Sequence, residues 1–132
     1  MKAILLTSLT FCLLSTAIAQ NKKLLSEKQD MMKLLCQKWL LTTMSAQGNS
    51  ANVPASEAIY VTYSPDGSYT DSSARFSVSH GTWMYDSSSK LLYTNDKGGK
   101  TKTKIVKITP NELIMEMEYP TVTMTITYKR VD

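Results

Sequence analysis

The sequence predicts an all-β fold: a small, eight-stranded, antiparallel up-and-down barrel with a short N-terminal helix. From Trp39 to the C-terminus, apolar residues alternate with polar ones along short segments, as in half-buried strands. Turns rich in Gly, Pro, Asp and Ser separate these segments, and no helical segment between them is long enough to connect parallel strands. Because an open eight-stranded sheet would expose an edge, we expect the sheet to close into a barrel.

The first residues predict export. Lys2 provides a positive charge, the run from Ala3 to Leu14 is largely apolar, and Ala17-Ile18-Ala19 is typical of a cleavage site. The apolar run is interrupted by Thr and Ser and is shorter than the roughly 20 residues of a membrane span. We therefore expect a signal peptide at 1–19, a linker at 20–25 and the barrel domain at 26–132. The mature protein would be periplasmic or secreted and soluble, without stable membrane insertion.

Composition gives few indications of a partner. A chain of 132 residues can bury one modest core. Removing Lys2 with the signal leaves fourteen basic against eleven acidic residues, a net charge of +3 that favours no particular partner. Cleavage would also remove Cys12, so that Cys36 remains alone, and its apolar neighbours predict a buried thiol rather than a reactive one. An internal disulfide is then excluded.

The elements follow in order along the chain. Apolar residues at helical spacing predict a short amphipathic helix over 24–36, lying against or across one end of the barrel. The period then changes to two. Strands are predicted at 37–44, 58–64, 68–71, 81–86, 90–95, 100–109, 112–119 and 121–131. The longer polar stretches at 45–57 and 72–80 are predicted to form the rim or lid of any cavity.

Four segments carry a family resemblance: LCQKWLL (35–41), VTYSPDGSY (61–69), GTWMYD (81–86) and IVKITPNEL (105–113). They resemble the lipocalin-like domains of small exported bacterial proteins, especially those of the Bacteroidetes. The resemblance implies a lipocalin or calycin-type barrel with an N-terminal helix. It departs at Gln37, where the family usually has Gly. It also implies that Trp39 closes the barrel bottom and that Arg130 packs over its indole; alternatively, Arg130 is a solvated terminal residue.

Two functions remain open. The first is a carrier that holds a small hydrophobic molecule in the barrel, gated by the 45–57 loop, with an enclosed cavity of at least about 300 Å3. The residues expected to line it are the apolar ones on the inward strand faces: Leu41, Ile59, Val61, Tyr63, Met84, Leu92, Met115, Met117, Met124 and Ile126. The alternative is a protein-interaction or envelope-structural module with a filled barrel and an exposed aromatic patch, formed by Tyr60, Tyr69, Tyr85 and Tyr93.

Nothing in the sequence indicates an enzyme. His80 lies alone at a loop and strand junction, and Glu116 and Glu118 share an outer face, where a solubilising role is expected. No spacing of His or Cys predicts a metal site, and no cofactor is expected. The lysines between 97 and 107 lack interleaved aromatic residues, so we expect them to protect a strand edge rather than bind nucleic acid.

Overall fold

The structure is a computed structural model and describes residues 6–73 and 78–132. In this part of the chain one helix, α1 (Leu6–Leu35), precedes nine strands, and a 3₁₀ turn at Ala55–Glu57 follows the second strand. The strands are β1 (Lys38–Ala46), β2 (Asn49–Asn52), β3 (Ile59–Tyr63), β4 (Ser68–Ser73), β5 (Ser79–Asp86), β6 (Leu91–Asp96), β7 (Gly99–Ile108), β8 (Glu112–Tyr119) and β9 (Val122–Val131).

The sheet closes into the predicted barrel. Strands β3 to β9 pair with their sequence neighbours, all antiparallel, and β1 pairs with β3 on one edge and with β9 on the other. All eight predicted strands are present, so the fold class is confirmed. The additional strand, β2, folds back on the end of β1 as a hairpin around Gln47 and Gly48, both of which have positive φ.

The predicted helix is present but longer than expected, because it runs without interruption from Leu6 to Leu35. No Gly or Pro occurs in this range, and Leu, Ala, Lys and Glu all favour helix. The predicted domain boundaries after residues 19 and 25 fall within this helix, where they stay predictions. Residues 1–5 of the predicted signal peptide lie outside the described residues.

The last two turns of the helix pack against one end of the barrel. Leu35, at its last turn, and Trp39, at the start of β1, are both completely buried. The Trp39 indole Nε1 donates a hydrogen bond to the Leu35 carbonyl oxygen at 3.0 Å, which joins the helix to the first strand. Nearby, Tyr63 meets the ring of Trp83 edge-on, with 5.8 Å between ring centroids. This end is therefore filled by large side chains.

Arg130 lies directly opposite Trp39 in the β1–β9 pairing. Its guanidinium Nη2, however, is 3.7 Å from Oδ1 of Asp132. Among the residues that the structure describes, the cation–π contact is made by Lys38, whose Nζ lies 4.7 Å from the centre of the Tyr60 ring. Stacking of Arg130 on the indole of Trp39 is not observed.

Three side chains do not lie where the sequence predicts them: one is outside the barrel instead of inside, and two are buried instead of exposed. Met84 is on the outer face and 60% exposed, because its neighbours Trp83 and Tyr85 occupy the inner face of β5. Tyr69 and Tyr85 are buried, so they cannot contribute to an exposed aromatic patch.

The lysine cluster lies beside an unpaired stretch of strand edge, so edge protection stays a prediction. Lys100, Lys102 and Lys104 are exposed on one face of β7, as predicted. Residues 99–104 of β7 pair with β6, but pairing with β8 begins only at Lys104, so the other edge of β7 is unpaired beside Lys100 and Lys102.

Cys36 is half-buried and packs against the core. Burial, with a smaller contribution from the negative charge of Asp66, raises the pKa of its thiol. A raised pKa favours the unreactive protonated form at neutral pH.

Candidate functional site

The two ends of the barrel interior differ in packing. At the end opposite the helix, four apolar residues face inward but are only half-buried: Met44, Ile59, Met117 and Met124. A register shift between Leu41 and Thr43 turns Met44 inward, opposite Ile126 of β9. Directly opposite residues of an antiparallel pair share a face of the sheet, and Ile126 is buried. These four side chains therefore pack on the buried core, while part of their own surface stays exposed.

A half-open hollow of about 230 Å3 lies at this end. One wall is the β1–β2 hairpin, which lies within the stretch predicted to form a rim, and the opposite side is Met124 of β9. Its lining residues are Met44, Ser45, Ala46, Asn49, Ser50, Ala51 and Met124. The hollow combines flexible thioether side chains with small polar residues. It can accept an apolar group from outside the barrel.

A polar layer lies at the same end of the barrel. Its centre is Asp96 at the end of β6, whose Oδ2 accepts hydrogen bonds from the Tyr69 hydroxyl at 2.8 Å and the Ser79 hydroxyl at 3.1 Å. The Gly98 amide donates to Oδ1 at 2.7 Å. These bonds, that from Tyr69 above all, lower the pKa of Asp96, which stays ionised at neutral pH.

A second carboxylate, Asp71 of β4, is part of the same layer. It pairs with Val61 of β3 and with Ser79 of β5, and Val61 is buried on the inner face. Asp71 therefore faces the barrel interior as well. Burial, and then the negative charge of Asp96, raise the pKa of the Asp71 carboxyl. The layer thus contains two different carboxylates. Hydrogen bonds stabilise the ionised form of Asp96, whereas burial and the charge of Asp96 disfavour the ionised form of Asp71.

The predicted lining residues divide into three groups. Leu41, Val61, Tyr63, Leu92, Met115 and Ile126 are buried in the core. Ile59, Met117 and Met124 are half-buried and pack against that core at the open end. Met84 lies outside the barrel, as described above. The middle group is the most exposed of the inward-facing residues, and the lining role stays a proposal.

Sequence reasoning missed the polar layer. The predicted strand 68–71 ends at Asp71, which period-two counting from buried Tyr69 places on the inner face, and Asp96 falls between two predicted strands.

Three further hollows lie on the outside of the barrel. The largest, about 270 Å3, is on the outer face of β5, β6 and β7 and includes Met84, Tyr93 and Lys100. Another of about 250 Å3 lies beside Pro54 and Tyr60. The third, about 140 Å3, lies between α1 and β5. None of these three is lined mainly by the inward-facing residues of the barrel.

Comparison with known proteins agrees with this architecture. The lipocalin-like domain family matches residues 36–115, more than half of the chain. The chain belongs to the lipocalin-like domain family. In this lipocalin-like domain the matched residues run from the end of α1 to the middle of β8.

Among solved structures, this lipocalin-like domain is similar to a lipocalin-like protein from Bacteroides uniformis ATCC 8492. The two chains are 16% identical with a TM-score of 0.56, and the similarity covers 74% of this chain and 98% of the other. At that identity the likeness shows the fold alone. No curated protein matches the chain.

Of the helices within residues 6–73 and 78–132, none combines the length and apolar character that a membrane crossing requires. In the same part of the chain, no three His, Cys, Asp or Glu side chains come together as a metal site.

Proposed function

We propose that this lipocalin-like domain is an exported carrier that binds one small hydrophobic molecule at the open end of its barrel. The observation that supports this most is the set of inward-facing, half-buried side chains at that end: Met44, Ile59, Met117 and Met124. Apolar residues in this position have lost part of their contact with water without gaining a full set of packing partners. A bound apolar molecule would complete their burial, at about 25 cal/mol for each Å2 removed from water.

The size of the hollow is the main constraint on the ligand. At about 230 Å3 and half-open, it is smaller than the enclosed cavity of at least about 300 Å3 expected for a carrier. Methionine has three rotatable side-chain bonds, and three methionines border this end, so modest rearrangement can enlarge the space. We therefore expect a small ligand or a single alkyl or aromatic group rather than a bulky lipid.

The test is a binding titration with the fluorescent apolar probe N-phenyl-1-naphthylamine. Met124→Trp places a larger side chain in the hollow and should reduce binding at least tenfold. Met84→Trp is the matched control, because it makes the same chemical change on the outer face of β5 and should leave binding intact. Both variants must retain the strand signal in circular dichroism.

The alternative, a protein-interaction module, is supported by the outer hollow beside Met84 and Tyr93. If Met84→Trp weakens probe binding while Met124→Trp does not, the outer face is the binding surface and the carrier proposal is wrong. Absence of binding to all three proteins would also contradict it.

The export proposal has a separate test. Expression in a bacterial host with an intact export pathway should yield a protein whose first residue is Gln20 in the periplasm or medium. N-terminal sequencing of cell fractions gives this directly, and an uncleaved cytoplasmic chain would contradict the proposal.

A further inference from the structure

Asp71 faces the barrel interior without a basic partner among the described residues. The described ion pairs are Lys23–Glu27, Lys107–Glu112 and Arg130–Asp132, and none of them involves the barrel interior at Asp71. Nor does any described side chain donate a hydrogen bond to it; the Ser79 hydroxyl beside it donates to Asp96 instead. An unpaired carboxylate inside a barrel costs folding free energy, so stability alone does not account for an acid at this position.

Two buried phenols lie within electrostatic reach of the same carboxylate. Tyr63 of β3 is 4% exposed and Tyr128 of β9 is 8% exposed. The pKa of each hydroxyl is raised, mainly by burial. The negative charge of Asp71 contributes in both residues, and for Tyr63 the neighbouring Tyr128 and Tyr69 contribute more. Tyr63 lies opposite Tyr69 in the β3–β4 pairing, and Asp71 is two residues along β4 on the same inner face, so these phenols and the acid are grouped on one part of the interior wall.

Neither the Tyr63 hydroxyl nor the Tyr128 hydroxyl forms a hydrogen bond with another described residue, whereas the Tyr69 hydroxyl is used by Asp96. Within the described part of the chain, every side-chain nitrogen or oxygen atom that has no solvent-accessible surface has a hydrogen-bond partner. The two phenol hydroxyls, which have no such partner, therefore keep a small accessible surface. Buried Tyr hydroxyls normally find a partner, so these two are available to a bound molecule.

The aromatic rings define the chemistry of that molecule further. Tyr63 stacks on Tyr69 with 6.0 Å between ring centroids and meets Trp83 edge-on. A carboxylate beside aromatic rings attracts organic cations, through charge-assisted hydrogen bonds and through the negative faces of the rings. Phenol oxygens accept hydrogen bonds from an ammonium group. A carboxylate ligand, in contrast, would be repelled by Asp71 and Asp96 together.

We infer that the barrel recognises an amphipathic amine, whose protonated nitrogen lies between the Asp71 carboxylate and the hydroxyls of Tyr63 and Tyr128. The apolar part extends towards the half-buried methionines at the open end. This inference rests on the proposed function, because it names the ligand class for the same interior site.

The test compares three probes with one alkyl chain: octylamine, 1-octanol and octanoate, each titrated calorimetrically at pH 7. Octylamine should bind at least tenfold more tightly than 1-octanol, which is the lower limit of the effect expected for one charge-assisted hydrogen bond. Octanoate should bind most weakly. Asp71→Asn keeps the side-chain shape and should remove the preference for the amine while leaving 1-octanol binding unchanged. Tyr128→Phe should reduce octylamine affinity several-fold by removing one acceptor.

Glu118→Gln is the matched control. It makes the same acid-to-amide change at an exposed position on β8 and should leave all three affinities unchanged. If all three probes bind equally and Asp71→Asn has no effect, the amine assignment is overturned while the carrier function stands. If none of the three probes binds, the proposed function fails together with it. If Glu118→Gln weakens octylamine as much as Asp71→Asn does, the amine is bound by surface charge, which also overturns the assignment.

Discussion

Replacing Gly81 by Ala should destabilise the protein, although Gly→Ala in a strand ordinarily stabilises it by about 0.5–1 kcal/mol. Gly81 lies on β5 opposite Tyr69 of β4. A Cβ atom there would collide with the Asn95 carbonyl oxygen and would lie 2.7 Å from the Tyr69 ring and 3.0 Å from Cβ of Asp96. The Asn95 oxygen belongs to the backbone of β6 and cannot move without disturbing the sheet. Tyr69 must then shift, which weakens its hydrogen bond to Asp96.

The expected cost is about 1–3 kcal/mol, the usual price of an extra methyl group in a packed interior. Urea denaturation followed by tryptophan fluorescence measures it, since Trp39 and Trp83 are both in the core. The same substitution in a Tyr69→Phe background is the control: part of its cost should disappear, because the hydroxyl bond to Asp96 is already absent. A Gly81→Ala protein as stable as the parent, or more so, would show that the close packing of β4, β5 and β6 is described incorrectly.

Three further predictions concern the core and the polar layer. Leu113→Ala should lower the free energy of unfolding by about 3 kcal/mol in urea, because Leu113 is completely buried. Trp39→Phe removes the hydrogen bond to Leu35 and should lower the free energy of unfolding by about 2 kcal/mol. It should also speed proteolysis within α1, and unchanged proteolysis would argue against packing of the helix on the barrel. Asp71→Asn should raise the urea midpoint at pH 7, because the pKa of Asp71 is higher in the folded protein than in the unfolded chain. A carboxyl group whose pKa is raised by folding does not destabilise the protein below its pKa in the unfolded chain, about 3.9. The destabilisation grows as pH rises through the folded pKa, so the stability gained by Asp71→Asn should vanish at about pH 3. A loss of stability at pH 7 would mean that Asp71 supports the fold.

Strands with one apolar face were the most predictable part of the molecule. The last strand was predicted at 121–131 and is observed at Val122–Val131, because its apolar and Thr positions alternate without exception from Val122 to Tyr128. Barrel closure followed from the need to cover two sheet edges. Strand β2 was missed because Asn49–Asn52 is short, polar and exposed, and only its turn residues indicate a hairpin.

Side-chain placement was harder to predict where both faces of a strand carry apolar residues. In β5, Met84 alternates with Trp83 and Tyr85, and only packing shows that the larger aromatic residues face inward. The polar layer was not predicted because acids are normally assigned to the solvent face, and Asp71 departs from that rule. The lysines of β7 do lie beside an unpaired edge, but the sequence did not indicate which side of the strand is unpaired, because strand pairing order cannot be obtained from one strand alone.

The most direct test of ligand binding inside the barrel is a methionine methyl NMR titration. Protein labelled with 13C at the methionine methyl groups is titrated with N-phenyl-1-naphthylamine, whose rings shift the signals of nearby methyl groups. The signals of Met44, Met117 and Met124 at the open end should move, while that of Met84, 60% exposed on the outer face, should not. Movement of the Met84 signal alone would place the binding surface outside the barrel and contradict the account.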